Sequence, residues 1–203
     1  TQYAYDDLGN LLSETSPARS TTTYTYDTAG NLRTLTDARG ITATYGYDAL
    51  SRVSAVNYSS GSENVAYTYD TCTLGKGRLC RVQDAAGVSD YTYDGFDNVA
   101  THRRTELNVA YATSYTYDPG NRITSITYPN GRQVSYTRDA KGNIQTASMA
   151  LAGTATSLIS AATYRPDGLP LTRSFGNALT DTRVYDTQGR LRELYLGGAD
   201  TRL

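Results

Sequence analysis

Along this chain, short runs in which tyrosine alternates with a small polar residue recur, each running into an aspartate and a tight polar turn. In Tyr24-Thr25-Tyr26 the period of two places both rings on one face of a strand. Thr and Tyr both suit a pleated, half-buried surface. Asp27-Thr28-Ala29-Gly30-Asn31 then predicts a reversal, because an aspartate can accept from amides two residues on and glycine adopts positive φ without steric cost. The chain returns through Leu32 and Leu35, two apolar positions three residues apart. The same spacing recurs at Val53 and Val56, Leu79 and Val82, Ile123 and Ile126, and Leu191 and Leu194. On a flat strand such positions point to opposite faces, so the spacing predicts either two partly covered faces or a β-bulge that resets the register. Thr, Ser and Gly between the apolar positions argue against a helix. A second turn closes each unit at Asp37-Ala38-Arg39-Gly40, Asp84-Ala85-Ala86-Gly87 and Pro129-Asn130-Gly131, the last with a hairpin-type Asn-Gly pair.

The unit is repeated. Tyr3-x-Tyr5-Asp6, Tyr24-x-Tyr26-Asp27, Tyr45-x-Tyr47-Asp48, Tyr67-x-Tyr69-Asp70, Tyr91-x-Tyr93-Asp94 and Tyr115-x-Tyr117-Asp118 are the clear copies. Tyr136-x-Arg138-Asp139 and Val184-Tyr185-Asp186 are degenerate ones. From Asp6 to Asp139 the aspartates are spaced 21, 21, 22, 24, 24 and 21 residues apart. A fixed period in this range predicts an array whose units bury their faces against neighbours. The expectation is an all-β fold: β-hairpins of about 21 residues pairing antiparallel into a continuous strip over residues 1–203, with no separate domain. Identical positions should stack across the strip as tyrosine ladders, and accumulated twist should coil it. Residues 149–162 break the rhythm and predict a longer hairpin or a looser loop.

Composition narrows the function classes. Nineteen tyrosines stand against two phenylalanines and no tryptophan, in a chain only 38% hydrophobic. Rings with wettable hydroxyls suit a thin sheet better than a thick apolar core. A net charge of −1, with basic residues scattered, argues against nucleic acid as a partner. No stretch approaches the length of a membrane span, and no signal peptide is visible, the chain starting inside a repeat.

Candidate chemistry is sparse. One carboxylate per turn does not supply the six to eight oxygens calcium takes, so Asp27, Asp48, Asp70, Asp94 and Asp118 read as turn formers. No metal and no cofactor is expected. His102 is the only histidine, and no serine or cysteine near it lies in a recognisable nucleophile motif. Asn57-Tyr58-Ser59 matches a glycosylation acceptor. Tyrosine faces exposed on the strip could stack on sugars.

The Tyr-x-Tyr-Asp-x-x-Gly-Asn-Leu unit, complete at Tyr24 to Leu32, resembles the YD repeat of the Rhs family, shared with toxin-complex C components, wall-associated proteins and teneurins. Tyr128-Pro129-Asn130-Gly131 before Tyr136, and Tyr164 to Gly168 before Phe175-Gly176-Asn177, are similar to later-array variants. The resemblance spans essentially the whole chain. It implies a strip that spirals into a hollow shell, which in bacterial members encloses a C-terminal toxin released by self-cleavage. Partners would be the rest of its own polypeptide, the enclosed toxin and a secretion-system or toxin-complex subunit. The location would be secreted or at the bacterial cell surface. The chain lacks an Asp-Pro-x-Gly-Leu motif and stops at Leu203 where more array should follow. It is therefore expected to be a stretch of shell without cleavage machinery or cargo, and not an enzyme. A surface adhesion or carbohydrate-binding module is the alternative.

The structural residues expected to matter are Tyr24, Tyr26, Asp27 and Gly30; Tyr45, Tyr47 and Asp48; Tyr67, Tyr69 and Asp70; Tyr91, Tyr93 and Asp94; and Tyr115, Tyr117 and Asp118. Cys72 and Cys80 flank an expanded turn holding Gly75 and Gly77, so their sulfurs could meet across a hairpin. Export, implied by the resemblance, favours a disulfide over free thiols.

Overall fold

The computed structural model describes residues 1–18 and 20–197, so the expected continuation beyond Leu203 lies outside the described residues. Every regular element among them is a strand. Two compact units divide the chain: residues 1–97 with 102–110, and residues 98–101 with 111–203.

The first unit contains β1 (Gln2–Tyr5), β2 (Leu11–Ser16), β3 (Ser20–Tyr26), β4 (Leu32–Thr36), β5 (Thr42–Tyr47), β6 (Val53–Tyr58), β7 (Val65–Tyr69), β8 (Leu79–Asp84) and β9 (Gly87–Tyr93). Each pairs antiparallel with the next. β10 (Val99–Glu106) gives its first residues to the second unit and its remainder to the first. The second unit continues with β11 (Val109–Tyr117), β12 (Ile123–Thr127), β13 (Gln133–Arg138), β14 (Ile144–Leu151), β15 (Thr154–Tyr164), β16 (Pro170–Phe175), β17 (Thr180–Tyr185) and β18 (Leu191–Leu196). These too pair consecutively and antiparallel.

A β-bulge explains the three-residue apolar spacing. Tyr24 lies opposite Leu35 and Thr25 opposite Thr34, but Tyr26 lies opposite Leu32, leaving Arg33 as the extra residue. Leu32 and Leu35 therefore share the tyrosine face. The same shift falls immediately before Tyr5, Tyr47, Tyr69, Tyr117, Arg138, Tyr164 and Tyr185. A bulge at the same place in each of these hairpins adds local twist there.

The expected tyrosine ladders are not formed by direct pairing. The cross-strand partners of Tyr24, Tyr45, Tyr67 and Tyr115 are Leu35, Val56, Val82 and Ile126, so rings alternate with aliphatic side chains. Like positions recur on every second strand, about 9–10 Å apart, beyond ring-to-ring packing distance. Threonine pairs line the opposite face, with hydroxyls 2.6 Å apart in Thr25–Thr34, Thr137–Thr146 and Thr163–Thr172.

The core is thin. Among the described residues the buried apolar side chains are Ala43, Val56, Cys80, Ala147 and Ala162. Residues 149–162 form a long hairpin, not a loose loop: β14 and β15 turn over Ala152 and Gly153 at φ 49° and 82°, both left-handed as a tight hairpin turn requires.

Candidate functional site

Most aspartate turns share one construction, shown by Asp27. The Asp27 N–H donates to the Asn31 carbonyl, and the Gly30 N–H donates to the Asp27 carbonyl. Oδ1 of Asp27 accepts from the amides of Ala29 and Asn31, while Oδ2 accepts from the Asn31 side-chain amide. Gly30 sits at φ 83°, where a side chain would be strained. Ser51 and Asn121 hold the equivalent position at φ 58° and 59°. Asp48, Asp118 and Asp186 repeat the pattern with an arginine in place of the asparagine, its Nε reaching the carboxylate at 2.7, 2.8 and 2.7 Å. Asp94 accepts from the Phe96 amide. Asp70 closes a wider turn by accepting from the Gly77 amide.

Such contacts hold Asp6, Asp27, Asp48, Asp70, Asp84, Asp118, Asp139 and Asp186 below their ordinary pKa. For Asp6, Asp27 and Asp139 the largest cause is the side-chain amide of the following asparagine. For Asp48, Asp118 and Asp186 it is the backbone N–H of the following arginine. Arg52 lowers Asp70, and Arg104 lowers Asp84 to about 2.

From Tyr26 onward, the tyrosine that leads into a turn closes the seam between hairpins. The β4–β5 ladder runs from Thr36–Thr42 to Thr34–Thr44 and ends there. Beyond that point, toward the aspartate turn, the Tyr47 hydroxyl donates to the Leu32 carbonyl at 2.8 Å. Leu32 pairs with Tyr26 next to the bulge residue Arg33, so the ring spans the seam beside the bulge, beyond the end of the β4–β5 ladder. Tyr26, Tyr69, Tyr93, Tyr117, Tyr164 and Tyr185 do the same for Leu11, Val53, Leu79, Val99, Ile144 and Pro170, at 2.6–3.0 Å. Where the motif has Arg138 instead of tyrosine, its guanidinium donates to the Ile123 carbonyl at 3.0 Å. The donor is kept although the residue type changes. That substitution, Tyr to Arg at an otherwise intact site, is the sequence signal from which the hydroxyl's role could have been inferred.

Polar side chains also tie one aspartate turn to the next. Asn31 reaches Ser51, Asn98 reaches Asn121, and Lys141 reaches the Pro166 carbonyl. Arg52 donates to Asp70 at 2.5 Å and lies 4.3 Å over the Tyr69 ring. Arg78 pairs with Asp97 and lies 5.1 Å over Tyr93. Sequence spacing gave no sign of these pairs, whose partners stand about one repeat apart.

Cys72 and Cys80 are joined by a disulfide, against which Gly75 packs so closely that a Cβ would meet both sulfurs. The loop they close reaches the next repeat, where its Thr73 carbonyl accepts from the Tyr93 amide. His102 stacks on Tyr91 with centroids 4.8 Å apart, and its Nε2 is 3.3 Å from Ser89 Oγ. Arg104 also reaches that hydroxyl while pairing with Asp84. Ser89 is buried, so this contact is an interior packing arrangement between strands. No group of three or more metal-ligating side chains converges among the described residues.

The family model of the RHS Repeat matches residues 5–42, 26–63, 111–133 and 117–156, more than half of the chain. No curated protein matches the sequence. Among solved structures, a TcdB2-TccC3 complex superposes with TM-score 0.84 at 20% identity. A Photorhabdus luminescens Tc holotoxin pore superposes with TM-score 0.81 at 19% identity. Each match covers 96% of this chain and 11% of the other, so the chain spans about a ninth of the proteins it resembles. At that identity the likeness establishes the fold.

Proposed function

We propose that this chain, which belongs to the RHS-repeat family, is a segment of wall in a larger shell that encloses and protects a C-terminal toxin polypeptide for delivery. Both units are read as stretches of one array. The observation that carries the proposal is the seam: where the backbone ladder between hairpins ends, a tyrosine hydroxyl or the Arg138 guanidinium takes over. A wall so built satisfies its backbone groups internally, as an enclosure that excludes proteases and solvent requires. Its working residues are the seam tyrosines and turn aspartates, and the chain contributes no catalytic step. The partners are the rest of its own polypeptide and a toxin-complex subunit, in a secreted or cell-surface bacterial protein.

The test is intact-mass spectrometry of the natural full-length product before and after limited proteolysis. A protected, separate C-terminal polypeptide is the expected result. A single chain with no protected passenger would overturn the reading and turn attention to adhesion or glycan binding.

A further inference from the structure

In two grooves of the first unit the chain supplies its own guanidinium. Arg52, following the turn residue Ser51, lies over the ring of Tyr69 in the next hairpin and bonds the next turn's Asp70 through both Nη1 and Nη2. Arg78, following Gly77, lies over Tyr93 and pairs with Asp97. The groove one repeat earlier has the same architecture, but among the described residues no guanidinium lies over its tyrosine ring. Its turn is followed by Asn31, whose shorter side chain reaches Asp27 at 3.0 Å and Ser51 at 3.4 Å. What remains is an open groove of about 570 Å³ lined by Tyr26, Tyr45, Tyr47, Asp27, Asp48 and Arg33.

We propose that this groove is a socket for an arginine side chain of a second polypeptide segment, which would occupy the place over Tyr47 that Arg52 occupies over Tyr69. Three features select that ligand. The ring face attracts a cation, and a planar guanidinium stacks on it where an ammonium does not. Asp27 Oδ2 holds one hydrogen bond, from Asn31, and a carboxylate oxygen accepts two. Asp48, though engaged by Arg52 through Oδ2, has spare acceptor capacity of the same kind. Arg33, the bulge residue, also lines the groove and makes no ion pair among the described residues. Its like charge opposes the ligand, so removing it should tighten binding. The proposal does not depend on the toxin reading, because the groove would be present on a wall of any use.

N-acetyl-arginine amide, with N-acetyl-lysine amide as control, would be titrated into the chain while side-chain and amide NMR signals of Asn31 and Tyr47 are followed. Saturable shifts for the arginine probe, at least tenfold weaker for lysine, are expected. Asn31→Arg, which supplies the cation internally, should weaken probe binding at Tyr47 at least tenfold, and Arg33→Gln should strengthen it. Arg52→Asn should create a new response at Tyr69, a gain that misfolding cannot produce. Equal responses to the two probes, undiminished binding in Asn31→Arg, or no new response at Tyr69 would overturn the proposal.

Discussion

Replacing Tyr47 by phenylalanine removes one oxygen and leaves the ring's packing against Val53 in place. The lost contact is the 2.8 Å bond to the Leu32 carbonyl, a group the backbone ladder has already left behind. A neutral hydrogen bond contributes about 0.5–1.5 kcal/mol net, and a buried acceptor left unsatisfied costs about 1–3 kcal/mol. Leu32 and Tyr47 are only half-buried, so water can reach the freed carbonyl and the lower range applies. The expected loss is about 1 kcal/mol, or roughly 2–4 °C in Tm for a chain of this length. Tyr45→Phe is the control, since Tyr45 shares the strand and the face, yet its hydroxyl makes no hydrogen bond among the described residues. Urea denaturation of both variants, with amide exchange read hairpin by hairpin, separates a seam effect from a general one. Faster exchange confined to β4 and β5 in Tyr47→Phe alone is the expected pattern. Equal destabilisation by the two substitutions, or none by either, would refute the seam argument.

Arg138→Tyr should be neutral or stabilising, because tyrosine restores the hydroxyl donor and removes a buried guanidinium Nε that has no hydrogen-bond partner; Arg138→Leu, which removes the donor, should lower the melting temperature measurably. The turn carboxylates titrate below their ordinary values, so their stabilisation is present above an unfolded pKa of about 4 and is lost as pH falls through the lowered folded values. Melting temperature should therefore be flat between about pH 5 and 7 and fall below about pH 4, with Asp84 protonating last near 2. At the alkaline end burial raises the pKa of Tyr45, Tyr47 and Tyr93, so stability present below about pH 10 should be lost as pH rises through the raised values, which spectrophotometric titration would follow. Replacing both Cys72 and Cys80 by serine should cost about 2–3 kcal/mol by the chain-entropy estimate for so short a loop, with exchange accelerated first at the Tyr93 amide.

The strands and aspartate turns were legible because each rests on local chemistry: alternating Tyr and Thr, an aspartate that accepts from its own turn, and a glycine at φ 83°. The bulge was legible only as one of two options, since a three-residue spacing does not say which strand carries the extra residue. Arg33 settles it by standing unpaired between Leu32 and Thr34. Tyrosine ladders were the wrong inference because repeat period was equated with cross-strand distance, whereas each repeat contributes two strands and the neighbour of Tyr24 is Leu35. The hydroxyl at the seam was legible only indirectly: its acceptor is a backbone carbonyl and carries no residue signature, so the one hint was the change from tyrosine to Arg138 at an otherwise intact site. The Arg52–Asp70 link was hidden for a related reason: the partners are 18 residues apart and meet only because two turns lie side by side.

The seam bonds run backwards along the chain. Tyr47 reaches Leu32, Tyr69 reaches Val53 and Tyr185 reaches Pro170, each about 15 or 16 residues earlier. A hairpin is thus fastened by the one synthesised next, and these fasteners involve nothing further downstream. At about 5–20 residues per second of translation, the next fastener of a 21-residue repeat emerges every one to four seconds or so. Hairpin closure takes microseconds, so each rung can set before the following one leaves the ribosome. The seam contacts stay local in sequence however many repeats are added, and a wall of this construction can be laid down in order from its N-terminal end, course by course, while its remaining sequence is still being made.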